Sequence, residues 1–314
     1  PFIEDLSNDG FNVLVTSRNH ANTIELLKKY NIKNTQIGMH YGNSKLMKIF
    51  GLLHRSILLL IFLWPYRKSI KVAFSQSSFY SPLVAKCLCI FCIYTNDNEN
   101  AQGNIVADLF ASRIFVPESW KTLKRSLDRK YIFYHGVKEG IYLWKYFNPE
   151  VLNAGRNIYF RPGATSAAYY VDHSFDQLSN IFKNVSYCSK VVILCRDNDQ
   201  KLAYKKLERD CDNVIVSDST INLVDIANDC ALFVGSGGSM VRELAVLGVQ
   251  SVSLYRGPEL SVDKYLETLG LLKIVKIENF SFDKLETTLG NTEDLLLSGE
   301  KSYMIIYQEL IRQA

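Results

Sequence analysis

Ala231-Leu-Phe-Val-Gly-Ser-Gly-Gly-Ser-Met-Val-Arg-Glu-Leu-Ala-Val-Leu-Gly248 reads as a strand, a glycine-rich turn and a helix that opens on the turn. Ala231 to Val234 form an apolar run. Gly235, Gly237 and Gly238 remove side chains where the backbone must approach something closely, and Ser239 is placed to cap a helix running to Leu247. A helix N-terminus presents unpaired N–H groups and a partial positive charge, so a phosphate fits there. Glu243 lies about one helical turn past Ser239, within reach of a ribose hydroxyl on a nucleotide whose diphosphate rests over the glycines. Tight packing alone can also demand such a turn. Neither common nucleotide fingerprint is present: Met240 stands where G-x-G-x-x-G needs its third glycine, and no Gly-Lys-Ser/Thr follows.

Outward from this stretch, strand and helix alternate. In the first half, Asn12 to Thr16, Lys71 to Ser75, Ile90 to Tyr94, Arg113 to Val116 and Tyr131 to Tyr134 read as strands. Ala21 to Tyr30, Lys45 to Pro65, Ser81 to Cys89 and Asn104 to Phe110 read as helices. In the second half the strands are Asn157 to Phe160, Lys190 to Cys195, Asn213 to Ser217, Leu232 to Val234 and Ser251 to Leu254. Helices there are Asp172 to Asn184, Gln200 to Asp210, Thr220 to Ala227, Ser239 to Leu247 and Val262 to Leu269. The alternation predicts an α/β protein of two Rossmann-like, doubly wound parallel-sheet domains, residues 1–152 and 153–314, facing each other across a cleft. They join near Phe147 to Gly155, and a closing helix from Glu300 to Gln313 is expected to pack back on the first domain. Pro1 to Asn8 already looks helical, so an initial strand and its turn are expected to be missing before Pro1.

Length and composition agree with that size: 314 residues, 47% apolar and 22% charged, leave room for two cores and exclude disordered and fibrous classes. The net charge of +4 is uneven. Residues 1–155 carry 19 Lys/Arg against 11 Asp/Glu, and the remainder 17 against 21. The basic half faces something anionic, and the dispersal of its cations, with no reading module, favours a phosphorylated substrate or an anionic membrane over nucleic acid.

Seven cysteines scattered through apolar segments point to a reducing compartment. Cys87-x-Cys89-x-x-Cys92 lies in an apolar run where a free thiol behaves as a small hydrophobe, so no metal is expected. No signal peptide is visible. Ile57-Leu-Leu-Leu-Ile-Phe-Leu-Trp64 is too short to span a bilayer, and its flanks, Lys45, Lys48, His54 and Arg55 before it, Arg67, Lys68 and Lys71 after it, would suit an anionic leaflet. A helix buried against a sheet reads much the same, and burial is the favoured expectation.

Several of these segments together resemble an archaeal and bacterial family catalogued as a domain of unknown function, related to the two-domain GT-B glycosyltransferases and the UDP-N-acetylglucosamine 2-epimerases. They are Val15-Thr-Ser-Arg18, Ile37-Gly-Met-His-Tyr-Gly42, Thr95-Asn-Asp-Asn-Glu99, Tyr134-His-Gly-Val-Lys-Glu139, Arg161-Pro-Gly, Gly235 through Glu243, and Asp263-Lys-Tyr-Leu266. The resemblance implies a nucleotide-sugar site in the second domain, with Ser236, Gly237, Gly238 and Ser239 under the diphosphate and Glu243 on the ribose. It also matches Glu99 to the carboxylate of a His-Val-Glu-Ala-Gly segment of the epimerases, although Asn98 stands in place of the preceding histidine, a departure from an identical mechanism.

Arg161 and Arg196, each directly after a strand, are placed to fork onto phosphate oxygens, or alternatively to form surface salt bridges. Asp97 and Glu99 follow the strand ending at Tyr94 and are candidate bases for an acceptor hydroxyl, with turn capping as the plainer role of Asp97. His40, between two glycines, suits presentation into a cleft, and His135 has a weaker claim. Ser75-Gln-Ser-Ser78 could hold an acceptor by its hydroxyls.

The resulting expectation is a cytoplasmic, metal-independent and cofactor-free glycosyltransferase of surface polysaccharide or glycan assembly, working at the inner face of the membrane. It would take a UDP-sugar as donor substrate and a glycan or lipid-linked acceptor. A 2-epimerase-like enzyme and a non-catalytic nucleotide-sugar-binding or scaffold protein are the alternatives.

Overall fold

Short β-branched and apolar runs separated by helices give parallel pairing at every strand contact among the described residues. The computed structural model describes residues 1–18, 23–39, 45–123, 129–146, 155–163, 190–217, 222–255, 257–281 and 290–314. His40 and the expected helix Asp172 to Asn184 lie outside the described residues. The chain divides into two units, Pro1–Tyr134 with Tyr303–Ala314, and His135–Ser302.

The first unit runs α1 (Phe2–Asn8), β1 (Thr16–Ser17), α2 (Thr23–Lys29), β2 (Thr35–Gln36), α3 (Lys45–Leu63), β3 (Val72–Gln76), α4 (Tyr80–Cys87), β4 (Phe91–Thr95), α5 (Asn104–Phe110), β5 (Arg113–Pro117) and β6 (Tyr131–Tyr134). Its strands form two parallel sheets, β1-β2 and β3-β4-β5-β6. The expected strand Asn12 to Thr16 contracts to Thr16–Ser17, while Thr35–Gln36 pairs with it although its sequence carries no strand signal. The end of the chain fastens α1: Phe2 stacks on Tyr303 with ring centroids 4.4 Å apart, Tyr303 donates to Asp5, and Tyr307 donates to Asp9 Oδ2 at 2.6 Å.

Helix α3 is buried on one side only. Leu59 enters the cluster of Val84, Ala85, Leu88 and Cys92, and buried Arg55 donates from Nε to the Ile37 carbonyl at 3.1 Å while its guanidinium lies over the Tyr80 ring at 4.4 Å. Its opposite face stays in solvent, so the burial favoured from sequence holds for half the helix. In the cysteine run, Cys92 is buried with its thiol pushed up to about 12 by desolvation, and Cys87 and Cys89 are exposed.

The second unit contains α6 (Lys138–Leu143), β7 (Asn157–Arg161), β8 (Val191–Ile193), α7 (Asn198–Asp210), β9 (Val214–Val216), α8 (Leu223–Asp229), β10 (Cys230–Gly235), α9 (Gly238–Val246), β11 (Ser251–Ser253), α10 (Ser261–Thr268) and β12 (Leu272–Ile274). The final helix α11 (Glu293–Gln313) starts well before the expected Glu300, and its first ten residues belong to this unit. Val137 and Leu143 sink into the second core, which is why the division falls between Tyr134 and His135 and not after residue 152. Where α6 meets α11 the backbones nearly touch: a Cβ on Gly299 would lie 2.4 Å from the Gly140 carbonyl carbon.

The six strands run β9-β8-β7-β10-β11-β12, so the chain order reverses direction between β7 and β10. Alternate side chains feed two cores, Tyr159 and Phe233 toward α9 and α10, Phe160 and Val234 toward Tyr204 and Leu207 of α7. Burial on both faces explains the uninterrupted apolar strands. Gly248, at φ +85°, takes the left-handed conformation that ends α9 and turns the chain into β11.

Beneath α9 sits a buried ionic network. Arg242 donates from Nε to Glu139 Oε1 of α6 at 2.8 Å and from Nη1 to Asp263 Oδ1 of α10 at 3.1 Å, and all three residues are buried. Burial disfavours the Glu139 carboxylate, but the charges of Arg242 and Lys138 outweigh it and hold its pKa below the ordinary carboxylate range. Removing the cation takes the shared partner from two buried carboxylates, so Arg242→Met should cost about 3–5 kcal/mol, read as a lower urea midpoint at pH 7. A carboxyl held low contributes stability that is present above its unfolded value, about 4.3, and is lost as pH falls through its folded value. The stability difference between wild type and Glu139→Gln should therefore shrink below about pH 4, and a constant difference in urea titrations across that range would count against the network.

Candidate functional site

The strand order reverses between β7 and β10, and the carboxyl ends of the strands at such a reversal are where open α/β sheets bind ligands. Gly235 and Arg161 are register partners there, and the Ser236 N–H donates to the Arg161 carbonyl at 3.0 Å. A Cβ on Gly235 would meet Val241 Cγ2 at 2.5 Å, so this glycine lets α9 fold back tightly against its strand. The helix begins one residue earlier than expected. Its N-cap is Gly237, with extended backbone and no side-chain cap, so Ser239 lies within the first turn and does not cap it. No acidic residue occupies that turn, so α9 itself supplies no carboxylate to its N-terminal N–H groups.

Guanidinium groups line the glycines. Arg196 Nη2 sits 2.6 Å from where a Cβ of Gly237 would stand, and Arg242 Nη1 lies 2.9 Å from the same point on Gly238. The partners whose close approach requires these two glycines are therefore arginines of the protein itself. Arg196 is held from the loop after β8: its Nε donates to the Pro162 carbonyl at 2.9 Å and its backbone N–H donates to Gln200 Oε1 at 2.9 Å. Gln200, buried, donates onward to the Gly163 carbonyl at 2.6 Å, while Asp197 caps α7 by accepting from the Gln200 N–H at 2.9 Å. These bonds lace the β7 and β8 loops together.

Arg161 is half-buried, with Nη1 3.2 Å from Met240 Sδ, and makes no ion pair among the described residues. Burial, then the neighbouring Arg196 charge, brings its pKa down to about 10, against a smaller pull upward from Glu243. It remains a cation at neutral pH. Two like charges held beside a helix N-terminus cost energy that an anion would relieve.

Glu243, one turn into α9, does not stand open. Its Oε1 accepts from the Tyr142 hydroxyl at 2.6 Å, which orients the carboxylate toward α6. Desolvation raises the Glu243 pKa, opposed by the Tyr142 hydrogen bond and by the charges of Lys138 and Arg161. Tyr142, Glu139, Arg242, Asp263 and Gln200 were not among the residues singled out from sequence. The Asp197-x-x-Gln200 spacing of a capping pair could have flagged Gln200; the rest join only through the fold.

In the first unit, the carboxyl ends of β3 and β4 carry a polar cluster. Buried Asn96 accepts at Oδ1 from Ser77 Oγ at 2.7 Å and from the Asp97 and Asn98 N–H groups at 2.9 and 3.2 Å; its amide donates to Asn104 Oδ1 of α5 at 2.5 Å. Gln76 donates to Asp97 Oδ1 at 3.3 Å and accepts from Thr95. Asp97 is buried and Glu99 half-buried. Ser77 is bent into the left-handed region, φ +52°, an uncommon conformation for a side-chain-bearing residue. Asn96 supplies a turn-capping acceptor. His135 is exposed, and its carbonyl accepts from Ser302 Oγ at 3.0 Å.

The same fold recurs in solved structures. MurG of Acinetobacter baumannii aligns over 99% of this chain and 94% of its own at 15% identity and a TM-score of 0.60. The UDP-GlcNAc 2-epimerase of Methanocaldococcus jannaschii, solved with UDP-GlcNAc and UDP, aligns over 98% and 95% at 13% identity and 0.65. The glycosyltransferase SnogD of Streptomyces nogalater aligns over 99% and 94% at 14% identity and 0.64. The architecture is thus the α/β one shared by GT-B glycosyltransferases and these epimerases. In sequence, the chain is 29% identical over 313 residues to an uncharacterized protein of M. jannaschii, covering 93% of this chain and 89% of that protein. Residues 1–291 match the family described as protein of unknown function DUF354, and the chain belongs to that family.

Proposed function

We propose that this protein is a nucleotide-diphosphate-sugar-dependent glycosyltransferase of surface polysaccharide or glycan assembly, acting in the cytoplasm with a UDP-sugar as donor. The observation that carries this reading is the pair Arg161 and Arg196 beside the uncapped start of α9, at the point where the sheet order reverses. The donor diphosphate would lie over Ser236 to Ser239, with the two guanidinium groups forking its oxygens. Glu243, oriented by Tyr142, would accept from a ribose hydroxyl.

In the transfer step the bond between the sugar's anomeric carbon and the diphosphate oxygen breaks. A bond to the acceptor hydroxyl oxygen forms, and Asp97 or Glu99 takes the acceptor proton. The nucleoside diphosphate leaves carrying negative charge, which the arginines and the α9 dipole stabilise without a metal. The acceptor is a glycan or a lipid-linked sugar. A 2-epimerase reading draws support from the same carboxylates, since proton removal at C2 of the sugar needs a base as much as an acceptor hydroxyl does.

Calorimetric titration with UDP should give saturable binding, and Arg161→Ala and Glu243→Ala should each weaken it at least tenfold, the loss of one charge-assisted contact of about 1.5–3 kcal/mol. Absence of affinity for every nucleoside diphosphate tested would sink the proposal. Asp97→Asn and Glu99→Gln should leave UDP affinity within twofold, and at least one of them should lower turnover a hundredfold or more; unchanged turnover in both would instead identify a binding protein. Incubation with UDP-N-acetylglucosamine in deuterated water separates the enzyme classes, because deuterium entering C2 without any acceptor would establish epimerisation.

A further inference from the structure

The exposed face of α3 is continuous, apolar and one-sided. Leu46, Ile49, Phe50, Leu53, Ile57 and Ile61 are all exposed, Ile57 at 54% and Ile61 at 67%. At about 100° per residue they share an arc of about 120° along the helix. Beyond the helix end the stripe continues into Trp64, exposed and carrying the Arg67 guanidinium 4.1 Å above its ring, followed by exposed Lys68 and Lys71. An aromatic ring capped by a cation is an arrangement suited to the boundary between hydrocarbon and headgroups. Charge in this part of the chain has one sign: no Asp or Glu occurs between Glu25 and Asp97, while ten Lys and Arg do.

Long and apolar as it is, this helix is not free to cross a bilayer, because its other face is committed to the first unit's core through Leu59, Ser56 and Arg55. Only the outer stripe can leave water. An apolar stripe with cations and an exposed tryptophan at its end, in a chain segment free of carboxylates, matches an anionic lipid surface in both polarity and charge.

We propose that the outer face of α3 docks this protein on anionic membranes, lying in the interface with Ile57 and Ile61 inserted and Arg67, Lys68 and Lys71 on the headgroups. The surface stands on its own residues, independently of the reaction proposed above.

The test is co-sedimentation of the full chain with vesicles of phosphatidylcholine alone or mixed with phosphatidylglycerol. Binding should require the anionic lipid and fall at high salt. Ile57→Glu with Ile61→Glu should weaken it at least tenfold, as should Arg67→Glu with Lys68→Glu. Both pairs sit on the surface, so thermal midpoint and UDP affinity should stay at wild-type values, which keeps this outcome separate from that of the nucleotide site. Tryptophan emission should shift to the blue on addition of anionic vesicles, and Trp64→Phe should abolish the shift. Absent binding, equal binding to neutral vesicles, or a self-associated chain that the Ile57 and Ile61 substitutions convert to monomer would each overturn the proposal, the last by showing that a second copy covers the face.

Discussion

Arg242 is the tie on which the second unit's site depends. From inside α9 it clamps Glu139 of α6 and Asp263 of α10, so three helices are fixed by one buried cation. Desolvating three charges costs several kcal/mol each, and a cation shared by two carboxylates recovers only part of that cost. An apolar packing of the same volume would hold the helices as well. What the network adds is placement: charged groups accept few geometries, so α9 is set with its first turn at the strand ends and Tyr142 of α6 is brought within 2.6 Å of Glu243.

That tie sorts the arginines around the turn. Arg242 is neutralised on both sides, and although it crowds Gly238 its charge belongs to the core. Arg161 has no such compensation; burial and its like-charged neighbour destabilise its cation enough to bring its pKa to about 10. Two further guanidinium groups, those of Arg161 and Arg196, thus stand at the carboxyl edge of β7 and β8, beside the glycines that follow β10. The glycines belong to the same arrangement, since any side chain at Gly237 would displace the guanidinium of Arg196.

The alternation of apolar runs and helices made the parallel α/β architecture readable, and Tyr131 to Tyr134, Asn104 to Phe110 and the β10-turn-α9 unit form within a residue or two of where their sequence predicts. Local signals failed where tertiary contact decides. Leu272–Ile274 is a strand because β11 offers it an edge, and Thr35–Gln36 because Thr16–Ser17 does. Lys138–Leu143 contains a glycine that lowers helix propensity, and it forms against α9 and α11 through Val137, Leu143 and the bare backbone of Gly140. Arg242 sits in sequence like an ordinary surface residue of an amphipathic helix, and its partners lie 103 and 21 residues away. A reading without tertiary contacts sees only part of such a site: the glycines, the strand-end arginines and Glu243. Several segments that carried the family resemblance do converge, since Glu139, Arg242 and Asp263 each come from a different one.

The two carboxyl edges are built by opposite strategies. At β10 the arginines are placed against bare glycine backbone, Arg196 beside Gly237 and Arg242 beside Gly238. At β3 and β4 the polar groups consume one another: Asn96 alone engages Ser77, Asn98, Asn104 and the Asp97 N–H, and the backbone at Ser77 bears left-handed strain to let it do so. Capping a turn needs one Asx side chain. The additional bonds from Gln76 and Asn104 fix the segment carrying Asp97 and Glu99 against both a strand and a helix, and the proton transfer proposed for one of these carboxylates would call for such rigidity, since its efficiency depends on geometry before it depends on pKa.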